Sequence, residues 1–265
     1  MSPLTYNIAT LSLYLAVWAY LLTLLIKQRS LQPLVLLVLT IIAVVLHGLG
    51  LYELIILPAS IDLGITNVFS LVMFSVNCIV LISSLRKPLH NLFILLFPLS
   101  SISVVLSLLP TTEQPIVNSL GLGMGAHVLL SIIAYSLLFM AVLQAVLLYW
   151  QNHQLKMHRL SPLIKYLPPL QTMESLLFEL LWVGVILLAG GIIVGGFYID
   201  DMFAQHLVHK TILSIIAWCI FATLLWGRIQ WGWRGNQAIR WVLVGFCVLM
   251  LAYFGSKLVL EVILV

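Results

Sequence analysis

Four histidines lie in stretches of this chain where apolar side chains otherwise dominate: His47, His127, His206 and His209. His206 and His209 are three apart, so a helix puts them on neighbouring positions of one face, and Lys210 follows at once. Neutral imidazole is a ligand for haem iron, zinc and copper, and it also serves in proton relays. Ionisable groups inside a membrane are costly and by default mark a functional site. What these four can do therefore depends on the elements that carry them and on the depth at which each sits.

Of the 265 residues, 63% are hydrophobic and 8% charged, with a mean hydropathy of +1.17; a soluble domain carries about a quarter charged residues. The composition is that of an all-α integral membrane protein. A helix needs about 20 apolar residues to cross the hydrocarbon. The apolar runs place eight transmembrane helices at about 5–26, 31–57, 66–85, 91–109, 122–150, 174–198, 207–229 and 238–264. The expectation is a single polytopic domain over 1–265, with no soluble domain left over. The first basic residue, Lys27, comes after the first apolar run, which predicts a retained helix and not a cleaved signal.

The connections alternate in character. Lys27, Arg29, Arg86, Lys87, Lys156, Arg159, Lys165, Arg228, Arg234 and Arg240, ten of the twelve basic residues, fall on one side. Glu53, Asp62, Glu113, Asp200 and Asp201 fall on the other. By the positive-inside rule the basic side is cytoplasmic, which predicts an N-out/C-out topology. That topology also accounts for the net charge of +4 without nucleic acid as a partner.

Pro58 and Pro110 are expected to close the second and fourth spans, and Pro98 to kink the fourth. Ser161-Pro162 is a candidate start for a short interfacial helix that ends at Pro168-Pro169. Gly190, Gly191, Gly195 and Gly196 would let the sixth span approach a neighbour closely. Cys78, Cys219 and Cys247 form neither CxxC nor CxxCH, so a thiol relay, a zinc knuckle and covalent c-type haem attachment are not expected. No internal repeat is evident.

Topology sorts the histidines. His90, His153 and His158 fall in or beside cytoplasmic loops and need no special role. His47 lies in the outer half of the second span, His127 near the outer start of the fifth, and His206 and His209 at the outer end of the seventh. Three helices thus bring imidazoles to the outer third of the membrane. The bland alternative is that each is a core histidine satisfied by a carbonyl or hydroxyl.

A proton path would string Asp, Glu or His across the bilayer, but the acidic residues here stay at the two faces. Zinc or copper sites want three or four close ligands, and the cysteines lie elsewhere. Haem needs only one or two axial histidines, apolar walls and a cation for its propionates. Composition and depth suit haem best. Lys210, and with it Lys257, can serve the propionates or can simply snorkel to the interface.

Several short runs, in order, resemble the cytochrome c assembly protein family: Ala126-His127-Val128-Leu129-Leu130-Ser131, Leu167 to Leu170, His209-Lys210-Thr211 leading to Ala217-Trp218, and Gly232-Trp233-Arg234-Gly235. The likeness covers about 122–255. With His47-Gly48 and Tyr253-Phe254-Gly255-Ser256-Lys257, it is nearest the small eight-span members. The resemblance implies b-type haem (haem b) held through histidines. Members that export haem carry an outer tryptophan-rich loop of the pattern WGxxWxWD, and the corresponding stretch here, Gly196 to Phe203, has no tryptophan. The resemblance therefore implies haem binding without implying haem presentation.

His47 and His127, on different helices at similar depth, are the first choices as axial ligands, followed by His209 and then His206. The expected role is that of a haem carrier, sensor or cytochrome assembly factor in a bacterial inner membrane. It would work with other membrane or cytochrome-maturation proteins and not as an enzyme. A transporter using the same histidines is the main rival. A haem-dependent quinone oxidoreductase ranks below it, because no acid, base or nucleophile constellation supports catalysis.

Overall fold

The apolar runs fold as eight helices in the computed structural model, which describes residues 3–27, 32–57, 60–85, 92–109, 121–157, 167–198 and 205–255. In order they are α1 (Pro3–Ile26), α2 (Pro33–Ile55), α3 (Ile65–Ser84), α4 (Phe93–Leu106), α5 (Leu122–Lys156), α6 (Leu170–Tyr198), α7 (Gln205–Trp231) and α8 (Asn236–Met250). A two-residue antiparallel hairpin, β1 (Ile56–Leu57) with β2 (Ser60–Ile61), joins α2 to α3. Beyond α8 the chain widens into a π-helical turn, Leu251–Gly255. Pro58, Pro110, Ser161-Pro162, His90, His158, Lys257 and the tract 199–203 lie outside the described residues.

Seven of these helices, α8 being taken together with the π-helical turn that continues it to Gly255, are long and apolar enough to cross a membrane, so the chain is a multi-pass membrane protein. The exception is α4. The expected span of 91–109 is regular over only 14 residues, or about 21 Å at 1.5 Å per residue, short of a hydrocarbon core of about 30 Å. In the other direction, α5 runs for 35 residues, past the expected end at 150. Its last turns carry Gln151, His153 and Lys156, residues that suit an interface and not hydrocarbon.

The chain forms two compact units, one holding α1 to α4 and the other α5 to α8. Inside each, every helix packs on the next and the fourth returns to the first: α1 on α2, α2 on α3, α3 on α4 and α4 on α1, then α5 on α6, α6 on α7, α7 on α8 and α8 on α5. The core of the first unit is built on Tyr14, Leu36, Met73, Phe93 and Phe97, with Phe97 stacked between Phe93 and Tyr14 at centroid distances of 4.9 and 5.3 Å. The second unit buries Leu138, Met140, Met173, Leu177 and Phe221. Small residues set its closest approaches. Gly191 faces Ser131 as its expected packing role required, and Gly184, which the sequence did not single out, rests against Leu138.

Pro98 lies inside α4 and has no N–H for the carbonyl of Ile94 one turn earlier. Across the bundle, the Trp18 indole Nε1 on α1 donates to that same carbonyl at 3.0 Å. A side chain thus supplies the hydrogen bond that the proline removed. Trp18→Phe should cost about 1–3 kcal/mol by orphaning the Ile94 carbonyl. Pro98→Ala, which restores a helical donor, should recover much of that loss, and thermal unfolding of the single and double variants in detergent measures the coupling.

Candidate functional site

His127 stands in the second turn of α5, roughly 7 Å from its start. Its Nδ1 lies 2.7 Å from the carbonyl oxygen of Gly191 on α6. A carbonyl only accepts, so Nδ1 carries a proton, and in the neutral ring Nε2 then keeps its lone pair. The reason α6 can offer that carbonyl is local. Helical side chains lean toward the N-terminus, so a side chain at position 195 would lean back over the oxygen of residue 191, and position 195 is glycine. The second lone pair of a mid-helix carbonyl is thereby open to a neighbour. A ring pinned through Nδ1–H to a backbone carbonyl, with Nε2 as a base, is the arrangement in which histidine ligates metals.

His47 sits differently. It is fully buried in the first unit, with the Tyr14 hydroxyl 3.0 Å from Nδ1 and the Ser70 hydroxyl 3.0 Å from Nε2. Tyr14 and Phe74 meet the ring edge-on at 5.7 and 5.6 Å. Both ring nitrogens are engaged whichever tautomer is present, because each hydroxyl can donate or accept. Iron at His47 would have to displace one of them.

The remaining candidates lie on α7. His206 falls in its first turn, and His209 has an exposed side chain. Lys210 is half-buried, its Nζ 5.9 Å from the centre of the Tyr253 ring, within cation–π range. Tyr253 belongs to the π-helical turn and meets Tyr135 of α5 at 6.2 Å, while the Tyr135 hydroxyl donates to the Leu249 carbonyl at 2.8 Å. Two turns deeper on α7, the Trp218 indole nitrogen is buried with no acceptor among the described residues. The second unit therefore holds His127, His206, His209 and Lys210, and His47 belongs to the first.

Among the described residues no group of three or more His, Cys, Asp or Glu could hold a bare metal ion. A porphyrin brings four nitrogens of its own and asks the protein for only one or two. The donors here fit that demand: one oriented imidazole base, a lysine and an indole N–H without an acceptor.

Several contributors were not evident in the sequence. Gly191 acts through its backbone, which leaves no side-chain signal beyond the smallness of positions 191 and 195. Tyr14 did leave one, since Asn7, Thr10 and Tyr14 recur at helical spacing on α1 and all three are buried, whereas the hydroxyls of the same helix at Ser12 and Thr23 are exposed.

The family model described as Cytochrome C assembly protein matches residues 5–264. The inner membrane protein YpjD of Escherichia coli K12 is 33% identical over 226 residues, covering 84% of this chain and 85% of its own. An uncharacterized 28.8 kDa protein of Azospirillum brasilense is 31% identical over 187 residues, 69% of each chain. The cytochrome c biogenesis protein CcsA of Nostoc punctiforme is 29% identical over 90 residues, 33% of this chain and 26% of its own. No solved structure matches.

The two hydroxyls around His47 set its test. Tyr14→Phe and Ser70→Ala each leave a buried ring nitrogen without its partner and should each cost about 1–3 kcal/mol. Chemical or thermal unfolding of the purified protein measures the loss, which for an exposed hydroxyl would be close to zero.

Proposed function

Because the chain belongs to the Cytochrome C assembly protein family, we propose that it binds haem b in the membrane and serves as a carrier, sensor or cytochrome assembly factor, not as an enzyme. The observation that carries this is the Nδ1 contact from His127 to the Gly191 carbonyl, which leaves Nε2 as a fixed base. His127 is one axial ligand of a bis-histidine site. Lys210 and the Trp218 indole N–H are the groups suited to carboxylates on the same ligand. Bound haem would supply a redox-active iron and two propionates; the protein's part is to hold an imidazole in one tautomer, to exclude water and to offer a cation.

Iron at His47 makes a definite demand, since the hydrogen bond from either Tyr14 or Ser70 would have to yield. His209, whose side chain is exposed, carries no such demand among the described contacts. The distribution of basic residues supports placing both termini outside, and the name of the Escherichia coli relative supports a bacterial inner membrane. Partners in this reading are the bilayer, haem, and membrane or cytochrome-maturation proteins that give or take it. A transporter with the same histidines would leave the protein colourless.

Purified from haem-replete cells, the protein should show a Soret band that sharpens on reduction together with split α and β bands. His127→Gly should lose the six-coordinate spectrum and regain it when imidazole is added to the buffer. Among His47→Ala, His206→Ala and His209→Ala, the variant that becomes five-coordinate identifies the second ligand. A wild-type protein without haem overturns the proposal.

A further inference from the structure

The end of the second unit where α7 turns into α8 is built more rigidly than a connection requires. The turn Gly232-Trp233-Arg234-Gly235 has glycine at both positions of left-handed backbone, φ +65° and +59°. The backbone N–H of Trp233 donates to the Gly227 carbonyl at 3.1 Å. The Trp233 ring lies over Gly227, where a methyl group would collide with it, and stacks between Trp231 at 5.4 Å and Trp241 at 5.3 Å.

Arg228 ties this turn to α6. Its Nη1 donates to Glu174 at 2.7 Å and to the Trp233 carbonyl at 3.2 Å, and its guanidinium covers the Phe178 ring at 4.5 Å. Arg228 is thus paired with a carboxylate and half-buried. Arg234 and Arg240 are different: both are exposed, and neither has a carboxylate partner among the described residues. Trp226 and Trp231, in the last turns of α7 leading into the same turn, are 64% and 67% exposed.

This turn joins two spanning helices, so it must meet one membrane surface whatever the orientation of the chain. Tryptophan settles at the level of the headgroups, with its ring toward the acyl chains. Guanidinium pairs with phosphate oxygens through two parallel hydrogen bonds. We propose that the α7–α8 turn is a binding site for an anionic phospholipid. Arg234 and Arg240 meet its phosphate, and Trp226 and Trp231 flank its acyl chains. The stacked tryptophans and the Arg228–Glu174 pair hold the arginines in place before lipid arrives, which lowers the cost of ordering them. The commitment is to a bilayer lipid and not to free phosphate, because exposed aromatic surface accompanies the charges. This inference stands apart from the haem proposal.

Native mass spectrometry of the delipidated protein titrated with phosphatidylglycerol or phosphatidylcholine provides the test. Wild type should prefer phosphatidylglycerol by about tenfold or more, given the known attraction of each interfacial arginine for anionic lipid. The double variant Arg234→Gln/Arg240→Gln should lose that preference while unfolding at the wild-type temperature in phosphatidylcholine nanodiscs. Arg234→Lys/Arg240→Lys should keep part of it, which separates loss of charge from loss of fold. Equal binding of both lipids by wild type would overturn the proposal. So would a preference that survives in the double Gln variant, or displacement of the lipid by millimolar inorganic phosphate.

Discussion

No water reaches the hydrocarbon interior of a bilayer, so a carbonyl, hydroxyl or ring nitrogen buried there must find its partner within the protein. Much of the described structure follows from that constraint. A proline in α4 strips one carbonyl of its helical donor, and a tryptophan on α1 replaces it. An imidazole on α2 is closed off by two hydroxyls from α1 and α3. Another on α5 is held by the backbone carbonyl of Gly191 on α6. Each contact joins two helices, so the same bonds that satisfy polar groups also specify which helices are neighbours.

The two histidines show how one residue type can serve opposite ends. In the first unit the ring of His47 is fully buried and hydrogen-bonded at both nitrogens. In the second, His127 is oriented by one bond and left chemically open at the other nitrogen. A satisfied histidine stabilises, whereas a half-satisfied one is prepared for a ligand.

The opposite end of the second unit obeys a different rule, because it meets headgroups and water. There the chain spends tryptophan, glycine and an ion pair on fixing a four-residue turn, and leaves two arginines facing outward. Charges without a carboxylate partner among the described residues cost little where a helix connection meets the membrane surface. The same charges a few turns deeper would need partners from neighbouring helices.

Composition and the spacing of apolar runs determined that the chain crosses a membrane repeatedly as helices, and seven helices of sufficient length agree with that. The ordered short motifs around His127, His209 and Trp233 were enough to indicate the family, because local residue order survives in the sequence itself. The limits are as instructive. Hydropathy cannot see that α4 is regular over a short length, since apolar residues continue beyond the ends of the helix. Nor can it distinguish His47 from His127, because the difference lies in what crosses from other helices. A hydroxyl, an indole or a bare backbone carbonyl brought within 3 Å by tertiary packing has no address in the local sequence. Membrane class and family were therefore properties of the chain read linearly, while the chemical state of each histidine was decided only when the helices packed.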